Sequence, residues 1–375
     1  MINRPMRVLM LSKACLVGAY QTKLEAIAAY DDVDLMVIVP TSWDEPGSRV
    51  VLERRYTGGY RLVVDPIRFN GRYHTYHFPT LRRRLAEFRP DIVHIDEEPY
   101  NLATWLALRE AHRAGARALF FSWQNLSRRY PPPFNLMERQ VLDRSDFAIM
   151  GNRESVAVWQ GKGYTGPYRI IPQFGVDPEK FAPPPRRDLG RAFTIGSANR
   201  RLVPEKGVDL LLHAAVKLPG IWQLLIAGQG PSLPDLKRLA RELGIAERVR
   251  FDGPIPSDQV PAYLSQLDAL VLTSRTMPNW KEQFGRILVE SMACGVPVVG
   301  SRSGEIPHVI GDAGLIVPEE DIDALRSALL QLMQDEALHR ELRERGRERV
   351  LAHYTQAQIA GETVEVYRAV MAGRS

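Results

Sequence analysis

Little in this chain can cross-link, coordinate or span. Its 375 residues include two cysteines, Cys15 and Cys294, too few for a disulfide framework or a Cys-rich zinc site, and a reducing compartment is expected. No run of about 18 apolar residues occurs, so no membrane-crossing helix is expected. Gly-x-x-x-x-Gly-Lys-Ser/Thr is missing, which removes a P-loop nucleotide hydrolase. His74-Thr-Tyr-His77 has metal-like residues without a third partner and reads as a surface loop; no metal site is expected. Arg4, Arg7 and the apolar run after them imitate a signal peptide. The run stops at Ser12 and Lys13 with no small-residue cleavage site, so a first buried strand is expected.

What is present is globular. Hydrophobic residues make up 45% and charged residues 25% of the chain, a balance that excludes disordered and collagenous classes. At about 150 residues per domain the length implies two domains. The formal charge of +5 is uneven: residues 1–170 hold 24 Lys+Arg against 18 Asp+Glu, and the remainder is nearly neutral. A basic first half can attract anionic lipid, nucleic acid or a phosphorylated ligand, and charge alone does not choose among them.

Short β-branched runs alternate with amphipathic stretches. Strands are expected at 6–12, 33–40, 61–67, 91–96, 116–122, 147–151 and 168–172, with helices between them, including 21–30, 79–88 and 100–114. Continuous apolar strands separated by helices indicate a parallel sheet covered on both faces. The stretch from Pro178 to Gly190 is proline-rich, charged and aperiodic, and reads as a linker. Alternation then resumes with strands at 193–198, 223–227, 249–252, 269–273, 296–300 and 314–317, a helix at 324–347 and a last one at 356–371. The expected organisation is α/β: a Rossmann-like domain over 1–182, a second over 190–355, and a C-terminal helix of about 356–375 packing back on the first. Two such facing sheets would leave an interdomain cleft at the carboxyl ends of their strands, where ligands of open α/β sheets bind.

The most informative segment runs from Leu267 to Gly300. A strand ending near Ser274 leads to a loop carrying Glu282, and a helix starts near Gly285 and stops at Gly295, ahead of Pro297. A helix start offers unpaired N–H groups and the positive end of a dipole, a seat for pyrophosphate, and Gly285 permits close approach to the backbone. Glu282 and Glu290 lie at most ~12 Å apart along a helix. They can straddle a diphosphate, each accepting hydrogen bonds from a polyol on its side. A second segment, Ile195 to Leu212, places Arg201 and Lys206 at a strand–helix junction, where one or both would meet a diphosphate.

These residues resemble the retaining glycosyltransferases of family 4, which have the GT-B fold. The resemblance covers most of the chain and is strongest over about 193–318. It rests on Arg201 with Glu205-Lys206-Gly207, on Ile226-Ala-Gly-Gln-Gly230 and on Val249-Arg-Phe-Asp-Gly253. It rests further on Glu282 and Glu290 ahead of Cys294-Gly295-Val-Pro297, and on Ile306-Pro-His. In the first half it is thinner: Gly18 after the first strand, Pro90-Asp-Ile-Val-His94, and Gly175-Val-Asp177. The resemblance implies that Arg201 and Lys206 hold the donor diphosphate and Glu290 the ribose. Glu282 and the backbone of Phe284 and Gly285 would hold the transferred sugar, and the segment Gly253 to Ile255 would face the nucleobase. It implies no metal and no cofactor beyond a nucleotide-diphosphate sugar in the UDP, GDP or ADP form. The implied reaction is front-face displacement onto a hydroxyl of a glycan or lipid-linked acceptor, with domain closure over the donor. Family habit suggests polysaccharide assembly.

The chain departs from the family pattern in three places. Val17-Gly18-Ala19 offers one glycine where relatives often have a pair, Gln283 replaces the usual glycine, and Phe121-Ser-Trp-Gln124-Asn125 stands where relatives often carry a histidine. Gln124 or Asn125 could supply a neutral hydrogen bond there. His94 reads as a satisfied strand-end histidine. Glu98, in Asp96-Glu97-Glu98-Pro99, either orients or deprotonates an acceptor hydroxyl or caps the helix from Tyr100. Arg54-Arg55-Tyr56, Arg68-Phe69, Arg72-Tyr73, Tyr76, Phe78 and Arg82-Arg83-Arg84 mix cations with aromatics. They suit a peripheral contact at the inner face of the cell membrane, an anionic lipid-linked acceptor, or a solvated face. No nucleic-acid recognition motif accompanies the charge. The expected location is cytoplasmic. The alternatives are a sugar-nucleotide epimerase of the same fold and a non-catalytic nucleotide-sugar or lipid-binding protein.

Overall fold

The computed structural model describes residues 4–45, 48–184 and 192–373. The chain divides into two compact units, Met1–Gly175 with Gln356–Ser375, and Val176–Thr355. The division falls ahead of the proline-rich stretch, whose residues 185–190 lie outside the described residues.

In the first unit, seven strands form one parallel sheet: β1 (Met6–Leu11), β2 (Val33–Val39), β5 (Arg61–Val64), β6 (Ile92–Ile95), β7 (Arg117–Ser122), β8 (Phe147–Met150) and β9 (Tyr168–Ile170). Their order is β5-β2-β1-β6-β7-β8-β9. An antiparallel pair, β3 (Ser42–Glu45) and β4 (Ser48–Val51), has no counterpart in the sequence expectation. The central strands are mostly apolar because both faces are covered, whereas the edge strands β5 and β9 are more exposed, β9 at all three of its residues. The covering helices are α1 (Thr22–Ala28), α2 (Leu81–Phe88), α3 (Leu102–Arg113), α4 (Phe134–Arg144) and α5 (Arg153–Gly161). One polar residue interrupts the apolar run of β6. His94 is fully buried, its Nδ1 lies 2.8 Å from the Tyr367 hydroxyl, and burial holds its pKa well below the usual histidine value. Tyr367 belongs to the helix Gln356–Ala372, whose Ile359, Ala360 and Val364 share a core with Leu24 and Ile27 of α1. The Gln356 amide closes the unit by bonding both the N–H and the carbonyl of Gly175 (3.3 and 2.9 Å).

Two readings of the first half are corrected here. The segment His74–His77 is packed rather than a surface loop: Tyr76 is fully buried, and the His74 ring lies against Tyr100, Tyr130 and Phe134. Tyr76 and Phe78 belong to the core, so the exposed aromatics of the cation–aromatic mixture are Tyr56, Phe69 and Tyr73.

The second unit repeats the design with six parallel strands: β10 (Phe193–Arg201), β11 (Trp222–Gln229), β12 (Val249–Gly253), β13 (Ala269–Leu272), β14 (Val298–Ser301) and β15 (Leu315–Val317). They are ordered β12-β11-β10-β13-β14-β15. Its helices are α6 (Val208–Ala215), α7 (Leu233–Glu242), α8 (Val260–Leu264), α9 (Arg286–Ala293), α10 (Ile306–Ile310), α11 (Ile322–Gln334) and α12 (Glu336–His353); the C-terminal helix of the first unit is then α13. The single helix expected over 324–347 is two. Asp335 takes an extended conformation between α11 and α12, and its carboxylate caps α12 by accepting from Leu338 N–H at 2.9 Å. The strand order in each sheet turns between the first strand and its next neighbour in the opposite direction, β1/β6 and β10/β13. Doubly wound sheets place ligands at such points, beyond the carboxyl ends of the strands.

Candidate donor site

In the second unit, chemistry gathers beyond the ends of β10 and β13. Arg201 is the exposed last residue of β10. The chain then makes a single helical turn, Pro204–Lys206, before α6. Thr273, just past β13, donates its hydroxyl to the carbonyls of Lys206 (3.1 Å) and Gly207 (2.8 Å), so the turn is fixed to the neighbouring strand. Lys206 Nζ then reaches Glu282 Oε2 at 2.6 Å, and Ser274 Oγ donates to the same oxygen at 3.0 Å. The Trp280 ring lies 4.7 Å from the ammonium. The side chains of Lys206 and Glu282 are 20% and 11% exposed.

The loop that carries Glu282 is held at several points. Met277 and Trp280 exchange backbone hydrogen bonds (2.8 and 3.2 Å), and the Glu282 carbonyl accepts from Glu305 N–H at 3.1 Å. A Cβ at Gly304, where φ is +53°, would lie 2.0 Å from that carbonyl, so only glycine permits the approach. Gly285 is the N-cap of α9 at φ +76°, a left-handed conformation that turns the chain into the helix, and Phe284 packs beside the Tyr354 ring. Glu290 lies further along α9. Burial pushes its pKa up, opposed by Arg286, which donates Nε–H to Glu290 Oε1 at 2.8 Å. Gly253 ends β12 at φ +71°, with open space on its Cβ side, and Ile255 is partly buried against the core beneath α9.

Lys206 and Glu282 are thus brought into contact, with Glu290 on the helix that follows. Among the described residues Arg201 makes no hydrogen bond or ion pair with them. Three residues of the arrangement were not foreseen: Ser274, Arg275 and Trp280. They sit inside the quoted segment, but nothing in their spacing marks them; Arg275 meets Asp209, 66 residues away, and Trp280 meets Lys206.

Glu98 and Gly18 belong to the first unit. Glu98 accepts from Ser122 Oγ (2.5 Å) and Trp123 N–H (2.8 Å), and burial raises its pKa to about 7. Its carboxylate therefore ties the end of β6 to the end of β7 and does not cap α3, whose N-cap Asn101 has no side-chain bond. Gly18 N–H is already taken by Glu53 Oε2 at 3.1 Å. Gln124 is buried; its Oε1 accepts from the Tyr130 hydroxyl at 3.0 Å and its Nε2 has no partner. Among the described residues no group of three or more His, Cys, Asp or Glu could hold a metal ion, and no helix is long and apolar enough to cross a membrane.

Comparison with known proteins bears on the family and the fold. The family model described as glycosyl transferases group 1 matches residues 195–349, and the one described as Glycosyltransferase Family 4 matches 24–180. The chain is 35% identical over 345 residues to the GDP-mannose-dependent alpha-(1-6)-phosphatidylinositol monomannoside mannosyltransferase of Mycolicibacterium smegmatis. That alignment covers 85% of this chain and 86% of the relative. The D-inositol 3-phosphate glycosyltransferase of Mycobacterium marinum is 32% identical over 55% of this chain and 46% of its own length. Among solved structures, Anabaena HepE in complex with UDP matches with a TM-score of 0.76 at 17% identity, covering 97% of this chain and all of that one. Sucrose-phosphate synthase from Thermosynechococcus elongatus gives 0.73 at 20% identity, covering 98% of this chain and all of that one. The fold is GT-B, and its two halves each match a model of one enzyme class: the chain belongs to the group 1, family 4 glycosyltransferases.

Proposed function

We propose that the second unit binds a nucleotide-diphosphate sugar and that the enzyme transfers the sugar with retention of anomeric configuration, without a metal. The observation that carries the reading is the Lys206–Glu282 pair, set at the turning point of the sheet and ahead of α9. A diphosphate arriving there competes with Glu282 for the ammonium. Lys206 turns to the phosphates, and Glu282, still hydrogen-bonded by Ser274, accepts from sugar hydroxyls. Arg201 and the positive end of α9 add to the charge that stabilises the leaving diphosphate, so protein groups supply what a metal would otherwise supply. Glu290 accepts from the ribose hydroxyls, the backbone of Phe284 and Gly285 meets the sugar, and Gly253 to Ile255 face the base. Gly18 contributes on the first unit's side, where Glu98 orients or deprotonates the acceptor hydroxyl. That hydroxyl attacks the anomeric carbon on the face from which diphosphate departs.

The donor to test first is GDP-mannose, on the strength of the M. smegmatis relative. The acceptor class that the relatives favour is a phosphorylated or lipid-linked polyol. Exposed Arg68, Phe69, Arg72 and Tyr73 on the basic first unit support acceptor capture at the cytoplasmic face of an anionic membrane. Calorimetric titration in EDTA with GDP, UDP and ADP tests the donor site: one should bind saturably and lose affinity in Lys206→Ala. Failure of all three to bind overturns the reading. With the donor known, the NMR anomeric coupling of the product tests retention, and an inverted product rejects it.

A further inference from the structure

Arg275 is the first residue of the loop that runs from β13 to Glu282, apart from Thr273 and Ser274, and it bonds to both sides of the Lys206 turn. Its backbone N–H donates to the Glu205 carbonyl at 2.7 Å. Its guanidinium donates to the Pro204 carbonyl at 2.9 Å and, in a fork, to the two oxygens of Asp209 at 2.8 and 2.6 Å. Nε–H takes Glu320 as a further acceptor. Lys206 is therefore bracketed, with Arg275 partners before it at Pro204 and Glu205 and after it at Asp209. The side chain is 16% exposed, and four N–H bonds turned to protein acceptors leave little for a ligand.

One of these acceptors, Glu320, comes from a loop that is itself held at several points. Glu320 is a non-glycine residue at φ +62°, a left-handed conformation that is strained for such a side chain. Its neighbour Glu319 accepts from both Thr276 N–H (2.5 Å) and Thr276 Oγ (2.6 Å). Two consecutive glutamates beyond β15 thus hold two consecutive residues beyond β13. Thr276 Oγ also lies 3.1 Å from Ser303 Oγ, one residue before the glycine that packs on the Glu282 carbonyl. The loops carrying Lys206 and Glu282 are locked to one another through Arg275, away from the ammonium and carboxylate themselves.

We infer that Arg275 is a positioning residue that fixes the reach of Lys206 toward the donor's diphosphate by clamping the Pro204–Asp209 segment to the Glu282 loop. The inference rests on the donor-site reading above. A planar, bidentate guanidinium fits this task where a lysine would not, because the fork on Asp209 fixes direction as well as distance. A plain stability brace would weaken every ligand alike through unfolding. A positioning residue weakens the ligand whose distal phosphate Lys206 touches.

The test is calorimetric titration of the full chain with GDP and GMP, and with UDP and UMP. The proteins compared are wild type, Arg275→Gln, Lys206→Ala and the double variant. Arg275→Gln should weaken the diphosphate about tenfold and the monophosphate less than about twofold, and the double variant should bind within about twofold of Lys206→Ala alone, since two residues acting through one contact are not additive. Glu320→Gly removes the acceptor and relieves the left-handed strain. It should hold or raise the melting temperature while weakening the diphosphate about threefold, a split that a brace cannot produce. Additive losses, equal losses for diphosphate and monophosphate, or unchanged diphosphate affinity in Arg275→Gln would overturn the inference. If Arg275→Gln does not fold, Glu320→Gly and Asp209→Asn carry the same comparison. A Lys206→Ala protein with undiminished diphosphate affinity sinks the donor-site reading and this inference together; sensitivity to Lys206 without sensitivity to Arg275 sinks this inference alone.

Discussion

Each sheet bears a lysine–glutamate pair where its strand order turns, and the two pairs are set in different surroundings. In the first unit, Lys13 and Glu97 follow β1 and β6 by two residues each. Lys13 Nζ lies 3.5 Å from Glu97 Oε2, its backbone N–H donates to Glu97 Oε1 at 3.2 Å, and the rings of Trp43, Tyr73 and Tyr76 stand 4.4, 4.4 and 5.1 Å from the ammonium. In the second unit, Lys206 and Glu282 sit on longer loops, with one ring nearby and a closer contact of 2.6 Å. Exposure does not separate them, at 16% for Lys13 and 20% for Lys206. What separates them is enclosure. Three rings and a backbone bond surround the first pair, whereas the second has one ring beside it and its loops are held by Thr273, Arg275 and Gly304. A charged pair at a turning point is therefore not by itself a site; the loops around it decide.

The largest test of that contrast is Lys206→Ala, which should lower turnover about 10²- to 10⁴-fold in a protein that remains folded, because transition-state charge is lost. An equal loss of turnover in a folded Lys13→Ala protein would erase the distinction between the pairs. Lys13→Met should cost about 2 kcal/mol in urea unfolding, from the lost cation–π contacts and the stranded Glu97, and leave nucleoside diphosphate affinity within about twofold. A loss of affinity without loss of stability would instead make the first pair part of the donor site.

The buried carboxylates extend the comparison at smaller size. Glu290→Ala should weaken the donor about tenfold, the equivalent of two lost hydroxyl hydrogen bonds, with an unaltered dissociation constant arguing against the ribose role. Among the described residues Glu98 has no cation in hydrogen-bond contact, and burial raises its pKa to about 7, so the folded state holds its proton more tightly than the unfolded one. The stability this gives is complete at low pH and is lost as pH rises through about 7. Glu98→Gln should therefore gain stability relative to wild type between pH 5 and pH 8. Parallel melting curves across that range would show that the carboxyl is not held neutral.

Much of the fold was legible because parallel strands buried on both faces are mostly apolar, and Phe147–Met150 or Ala269–Leu272 announce themselves that way. The paired-glutamate block was legible for a related reason: loop, helix and stop are adjacent in sequence, so spacing carries geometry. The short pair β3 and β4 escaped notice, since four residues with mixed polarity give no period. Tyr76 and Phe78 looked like surface aromatics among arginines because composition cannot say which side of a loop faces inward. Arg275 was silent for a stricter reason: its acceptors, Asp209 and Glu320, are 66 and 45 residues distant and mean nothing until the loops meet.

The sequence by itself determined two doubly wound units and the enzyme class, and it singled out Lys206, Glu282 and Glu290, since periodicity and local spacing are properties of neighbours along the chain. Only the tertiary structure decided that Lys13 meets three rings and Lys206 one, that Glu98 ties two strand ends rather than capping a helix, and that the last helix closes the first unit through Tyr367 and His94. Those outcomes depend on which side chains from distant segments exclude water around a charge, and exclusion of water is a property of three-dimensional packing.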